Sequence, residues 1–419
     1  MNGSFDADVA VVGSGIIGTM TALALQDAGL RVVAIEEREA GAGTASGSAG
    51  YVHDGEIFPL GTPQLLATLP RLIFDPLGPL VFRLSYAPRM AGWGLRFLQS
   101  MRPSAVARAT EALASLNRLA VEALASAAAA ANAQSLLVHG GGLKVARTQR
   151  TLAEFKGELA TLQRVGIPAR AVGAEELRSM EPAVGNDNAG ALFFPNSAHC
   201  VDPALFGRRL ATLVRSRGSI LHAHVDALVA QPHGTWVAHT DDRAQANVRV
   251  RSVIVCAGHR SNELLRPLGY RVPIAAARGY HLMLERPGVE LRYPIIFHEP
   301  HFAATPMSGG MRLAGTMEFS DPDAPPDLRR AHMLYDIAQR YIPDLRNGAA
   351  TTWMGVRPAM PDSLPAIGRA RHHDNLYYGF GHGHLGFTQA AITARCIAGL
   401  LTDRTPPIDL TPFDLARFS

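Results

Sequence analysis

Lysine is almost missing from this chain. Of its 40 lysine and arginine residues only Lys144 and Lys156 are lysine, no long basic run occurs, and the net charge is +4. Nucleic acid binding therefore has no electrostatic footprint. The preference for arginine and alanine is read as base composition, so each arginine is judged by its context. Cysteine is scarce too: Cys200, Cys256 and Cys396 lie far apart and form no CxxC pair. A disulfide framework and a zinc knuckle are both excluded, and a reducing cytoplasm is the expected compartment. No apolar run reaches the roughly 18 residues of a membrane span. The first strand starts by residue 8 with no basic and apolar leader before it, so no signal peptide is expected.

What the chain does have is length and a globular balance. With 419 residues, 47% hydrophobic and 18% charged, it exceeds a usual single core, and two domains or one interrupted domain are expected. The opening "DVAVV" reads as a buried strand, "GSGIIGTMTALALQDAGL" as a helix closed by Gly29, and "RVVAIE" as a second buried strand. This is a βαβ start. Residues 41–50, "GAGTASGSAG", hold only small residues and read as loop. Residues 60–100 carry Pro63, Pro70, Pro76, Pro79 and Pro88 and read as short helices and turns, whereas 104–134 reads as one long helix. The stretches 141–148, 191–195, 278–284 and 311–319 are strand-like and suggest a mixed sheet of their own. The segment "RVRSVIVCAGHRSNELL" returns to a strand, glycine turn and helix.

The spacing of Gly13, Gly15 and Gly18 is GxGxxG between a strand and a helix. Gly13 allows a tight turn, Gly15 lets backbone approach a pyrophosphate at the helix N-terminus, and Gly18 lets helix and strand pack closely. Glu36 ends the second strand, 23 residues after Gly13, where a carboxylate accepts hydrogen bonds from a ribose diol and repels a 2′-phosphate. NAD or FAD is thus expected rather than NADP. The long excursion after the second strand and the late strand "VIVCAG" favour FAD.

Taken together, "VVGSGIIG", "TASGSAG", "VIVCAG", "RGYHLML" and "GVRPAMPDSLPAIGRARHHDNLYYGFGHGHLGFT" resemble the FAD-dependent D-amino-acid oxidase and glycine oxidase superfamily, with bacterial D-amino-acid dehydrogenases the nearest in pattern. The resemblance spans residues 8–388. It implies an α/β architecture: a glutathione-reductase-like FAD-binding Rossmann domain formed by 1–60, 198–262 and 350–419. An inserted α+β substrate domain, with a mixed and largely antiparallel sheet, is expected from 61–197 and 263–349. It further implies a cofactor site drawn from Gly13, Ser14, Gly15, Ile16, Ile17, Gly18, Glu36, Glu37, Arg38, Thr44, Ala45, Ser46, Ala49 and Gly50, continued by Val225, Cys256, Ala257 and Gly258. The C-terminal run adds Gly381, His382, Gly383, His384, Leu385, Gly386 and Thr388.

The implied reaction is oxidation of a carbon–nitrogen bond beside a carboxylate, with electrons passed to a quinone, an electron-transfer protein or another acceptor. An oxidase, an enzyme for cyclic or N-substituted amino acids, and a non-catalytic flavoprotein subunit are the rival readings. A substrate carboxylate is best held by the planar fork of an arginine. Arg357 in "GVRP" is that candidate, with a structural ion pair to Asp362 as its alternative. Tyr280 is the implied hydroxyl partner. Tyr280 and His281 must face opposite ways on their strand, and a Tyr280–Arg278 pair bracing the sheet is the competing reading. His53 and His384 are further substrate contacts. No metal is expected, because the HxH of His382 and His384 lacks further ligands. The region "APRMAGWGLRFLQSM", with Trp93, reads either as a helix packed on the insert or as a peripheral membrane contact.

Overall fold

The computed structural model describes residues 5–418 apart from 64, 66–77, 79 and 243; of the stretch 60–100 expected to form short helices and turns, residues 64, 66–77 and 79 lie outside the described residues. Two large sheets organise the rest. In the first, five parallel strands run in the order Ser219–His222, Val32–Glu36, Ala7–Val12, Asn247–Val255 and Leu376–Phe380. The short strand Ala366–Arg369 pairs antiparallel at one edge, and the hairpin Val225–Gln231 and Thr235–Thr240 is laid antiparallel on the early half of Asn247–Val255.

The central strands are apolar on both sides because both sides are covered. Val9, Val11 and Ile254 enter one core with the helices Ile16–Asp27, Pro203–Arg217 and Gly386–Leu401. Val12, Val33, Ile35 and Val255 enter a second core with Trp236 and Leu265. Helix Ile16–Asp27 approaches the sheet so closely that a Cβ on Gly18 would stand 1.8 Å from the Gly13 carbonyl oxygen. Gly13, with φ of 89°, makes the turn between them.

The second sheet is mixed and mostly antiparallel, in the order Ala350–Ala359, Ala275–Leu284, Gly310–Phe319, Phe302–Met307, Ile295–Phe297, Gly142–Ala146, Gly190–Phe194 and Arg170–Gly173. Two boundaries differ from the sequence-based expectation. The strand Ala350–Ala359, expected in the cofactor domain, pairs with Ala275–Leu284 of the second sheet along its whole length. The helix Pro103–Ala130, assigned to the insert by position, buries Leu113, Leu116 and Leu124 in the cofactor-domain core beside Ile392. An apolar stripe packs wherever a complementary face is available, and chain order does not restrict that choice.

Helix Ala87–Ser100 buries Met90, Trp93 and Phe97 against Phe319, Ala277 and Ala359 of the second sheet. Trp93 Nε1–H donates to the Ala359 carbonyl at 3.0 Å. This is the packed-helix reading of the tryptophan region. Among the described residues no helix is long and apolar enough to cross a membrane.

The helix–strand contact at Gly18 generates a direct test. Gly18→Ala must push the helix off the sheet, and the expected outcome is a loss of about 1 to 3 kcal/mol together with impaired dinucleotide retention. Denaturant unfolding and the flavin absorbance of the purified variant measure both.

Candidate active site

The two sheets and the loops between them enclose a cavity of about 590 Å³. One end lies where the parallel strands stop and Gly15 caps helix Ile16–Asp27. A Cβ on Gly15 would meet nothing within 4 Å, so this helix N-terminus opens directly into the cavity, an arrangement suited to a pyrophosphate. Glu36 accepts the N–H groups of Ser14 at 2.6 Å and Arg38 at 3.1 Å, and burial raises its pKa above the usual carboxylate range. Glu37 is held by His224 Nδ1 at 2.9 Å and by Arg260 at 3.0 Å. Burial alone would raise its pKa, but the His224 bond and the Arg260 charge bring it below the ordinary value. Ile16, Ile17, Arg38, Val225, Ala257 and Gly258 complete this end, with Cys256 beside them.

The middle of the cavity is bounded by two backbone segments. The 3-10 turn Thr44–Gly47 is fixed by Thr44 Oγ1 donating to the Val356 carbonyl at 2.8 Å, and Arg312 donates to the Ser48 carbonyl at 2.7 Å. Opposite, residues 381–388 run into helix Gly386–Leu401, whose first turn lines the cavity. Amides there have no intrahelical acceptor and carry the positive end of the helix dipole. Gly383, at φ 54°, also faces open space, and its N–H donates to the Pro358 carbonyl at 3.1 Å. His382 turns its ring away, with Nε2 at 2.9 Å from Thr393 Oγ1, and burial pushes its pKa down to about 3. Among the described residues no cluster could hold a metal ion.

The far end holds Arg357. Its guanidinium lies over Gly279, where a Cβ would come within 2.2 Å of Cζ, and it donates to the Thr316 carbonyl at 3.0 Å. Asp362, the acid proposed as its structural partner, pairs with Arg417 at 2.7 Å instead. Among the described residues no carboxylate lies within 4.0 Å of the Arg357 guanidinium, and burial lowers its pKa to about 10. Leu80, Phe82, Trp93, Phe97, Met317 and Phe319 form an apolar wall at this end. His384, His53, His301 and Glu56 form a polar one.

Several expected contacts are placed elsewhere. Tyr280 faces away from the cavity: its hydroxyl donates to Glu318 at 2.6 Å and accepts the Asp327 N–H at 3.3 Å, while Arg278 lies 3.7 Å from the same carboxylate. The reading in which Tyr280 and Arg278 brace the sheet is the one realised. His281, on the opposite face of the strand, is also no substrate contact. It bonds through Nδ1 to the Gly47 carbonyl at 2.8 Å and stacks on Trp353 at 5.2 Å, beneath the loop it supports. Ser14, Gly18, Ser46 and Gly50 do not line the cavity either. Ser14 Oγ turns inward to Thr19 and Ser46 Oγ to the Ala42 carbonyl, whereas Gly18 and Gly50 are pressed against the backbone of Gly13 and Cys200.

Residues that the sequence reading did not name are Gly279, Thr316, Trp353, His301 and Glu56. Thr316 sits in a β-bulge, where Arg278 pairs with Glu318 but Tyr280 pairs with Gly315, and its φ is 59°. The bulge turns its carbonyl toward Arg357. No residue type marks that bulge in advance. Glu56 stood close to the loop that was recognised, and its spacing from Gly50 was the available signal.

Two outcomes follow. Tyr280→Phe should cost about 1 to 2 kcal/mol of stability while leaving KM for substrate near its wild-type value, measured by unfolding and steady-state kinetics on the same preparation. Burial also depresses the histidines: His199, His259, His281, His298 and His384 to about 4, with the Arg357 charge adding to burial at His384, and His382 to about 3. The unfolded chain therefore binds more protons than the folded one between the ordinary histidine value and about 4. Stability is full above about 6.5 and should fall steadily as pH drops from there toward 4. Urea midpoints across that range check it, and a flat profile would contradict it.

The chain matches the model of the FAD dependent oxidoreductase family (DAO) over residues 8–400. It is similar to a D-amino-acid oxidase of Bradyrhizobium diazoefficiens, 31% identical with 98% of each chain covered, and to a D-amino acid dehydrogenase of Paramagnetospirillum magneticum, 29% identical with 98% of this chain and 99% of the other covered. Among solved structures it shares the fold of a glycine oxidase from Geobacillus kaustophilus, with a TM-score of 0.72, 21% identity and 98% of each chain covered. An L-proline dehydrogenase from P. horikoshii aligns with a TM-score of 0.75 and 18% identity, over 99% of this chain and 98% of the other. The residues present fit FAD: an open helix N-terminus at Gly15, an acid at Glu36 for the ribose, and a long cavity closed by the glycine-rich run at 381–386. The chain belongs to the FAD dependent oxidoreductase family.

Proposed function

We propose that the protein oxidises the α-carbon–nitrogen bond of an amino acid, of D configuration by analogy with the names of its relatives. The product is an imino acid that hydrolyses to a 2-oxo acid and ammonia. A single observation carries the reading: the half-buried Arg357 guanidinium lines the cavity, with a backbone carbonyl as its hydrogen-bond partner and no acid within 4.0 Å among the described residues. A buried charge without a counter-ion is costly, and a substrate carboxylate supplies the missing anion in bidentate form.

FAD, when bound, supplies the two-electron oxidant that takes the Cα hydrogen as hydride. The chain's part is to bind and orient. Gly15, Glu36, Glu37 and Val225 hold the nucleotide end, and the loops at 44–49 and 381–388 border the ring. Arg357 anchors the carboxylate, and the apolar wall of Phe82, Trp93 and Phe319 excludes water on that side. The first amides of helix Gly386–Leu401 offer positive potential where negative charge collects on reduction. His384 and His53 are neutral because burial pushes both pKa values well down, so the substrate amine meets no imidazolium. The electrons pass on to a quinone or another acceptor.

Anaerobic titration of the FAD-loaded protein with D-, L- and N-substituted amino acids tests the reading, with bleaching of the flavin by at least one of them as the expected result. If none bleaches it, the reading is wrong. Reoxidation by air or only by a quinone analogue then identifies the acceptor. Arg357→Lys should retain FAD and raise KM for carboxylate substrates roughly 10- to 100-fold, because the planar fork is lost. An unchanged KM would return Arg357 to a structural role.

A further inference from the structure

A cavity that grips one carboxylate needs one free cation, yet this cavity also holds an anion without a partner. Glu56 lines it, and 24% of its side chain is exposed. The basic groups within 4.0 Å of its carboxylate are His384 Nε2 and His53 Nε2, each at 4.0 Å, beyond hydrogen-bond reach. Neither ring carries charge near neutrality. The nearby ammonium of Lys144 is engaged by Glu158 at 2.6 Å. Among the described residues no arginine or lysine lies within 4.0 Å of Glu56, and no hydrogen bond reaches its carboxylate.

The acid is also held in place. Its carbonyl accepts Asn117 Nδ2–H at 2.9 Å, and Asn117 Oδ1 accepts Gln389 Nε2–H at 2.9 Å, which ties the segment to helix Gly386–Leu401. The following residue, Ile57, is fully buried. Glu56 is therefore fixed in the wall, while the Arg357 charge acts on the His384 ring that Glu56 approaches.

Building on the amino-acid reading above, we infer that Glu56 is a specificity-determining residue that receives a cationic nitrogen on the substrate's side chain, and that the favoured substrates are α-amino acids with a guanidinium or ammonium side chain. The reacting amine is not its partner. A carboxylate beside that amine stabilises the ammonium form, which cannot release hydride, so the anion serves a charge that persists through the reaction. A substrate carboxylate on Arg357 and a side-chain cation on Glu56 would match both charges that flank His384, whereas a neutral side chain would leave Glu56 unmatched.

The experiment compares D-arginine with D-citrulline, and D-lysine with D-norleucine, on FAD-loaded wild type and Glu56→Gln, with flavin content and melting temperature measured for both proteins. Wild type should show kcat/KM higher for the cationic member of each pair by roughly 10- to 100-fold, the scale of one charge-assisted hydrogen bond. In Glu56→Gln that ratio should collapse toward unity, and Glu56→Asp should restore part of it. A wild-type ratio near unity, or a ratio unchanged in Glu56→Gln, overturns the assignment of Glu56 while the amino-acid reading stands. If no amino acid of either kind reduces the flavin, the amino-acid reading itself falls and the inference with it.

Discussion

A guanidinium without an acid is the constraint that the architecture of the substrate end serves. Arg357 lies on strand Ala350–Ala359, opposite Ala277 and two residues along from the Gly279 that leaves room for its head group. The bulge at Thr316 turns a carbonyl to the same group. Asp362, the obvious partner by sequence distance, is drawn off by Arg417 from the C-terminal segment. Each feature keeps the charge oriented without neutralising it, and such a charge is costly unless an anion meets it.

Several acids and bases around the cavity that could quench the site are occupied or uncharged. Glu37 is taken by His224 and Arg260, Lys144 by Glu158, and Glu318 by Arg83 and Tyr280. The histidines on the wall are kept neutral by burial. At the His384 end of the cavity the charges without an ion-pair partner among the described residues include Arg357 at one side of His384 and Glu56 at the other. The two open charges have opposite sign, as an amino acid with a basic side chain requires.

Much of the nucleotide end was legible in the sequence because its requirements are local. A tight turn, a helix N-terminus and a strand-end acid occur within 24 residues: Gly13 makes the turn, Gly18 lets the helix press on the strand, and Gly15 and Glu36 line the cavity. The glycine run at 381–386 was legible for the same reason. The substrate end was not. Tyr280 and His281 were both read as candidates because a strand must show one of them to each face, but which face meets the cavity depends on a neighbouring strand about 35 residues away. Glu318 claimed Tyr280, and the Gly47 carbonyl claimed His281.

By itself the sequence determined the βαβ start and the dinucleotide cofactor and singled out Arg357 as a candidate, since these follow from short-range sterics and from residue chemistry that does not depend on neighbours. Only the tertiary structure decided that strand Ala350–Ala359 joins the second sheet, that Pro103–Ala130 packs beside helix Gly386–Leu401, that Asp362 pairs with Arg417, and that no arginine or lysine among the described residues lies within 4.0 Å of Glu56. The physical reason is that pairing is a competition. Whether a charge or an apolar face is satisfied depends on every other group that folding brings within a few ångströms, and that set is not written along the chain.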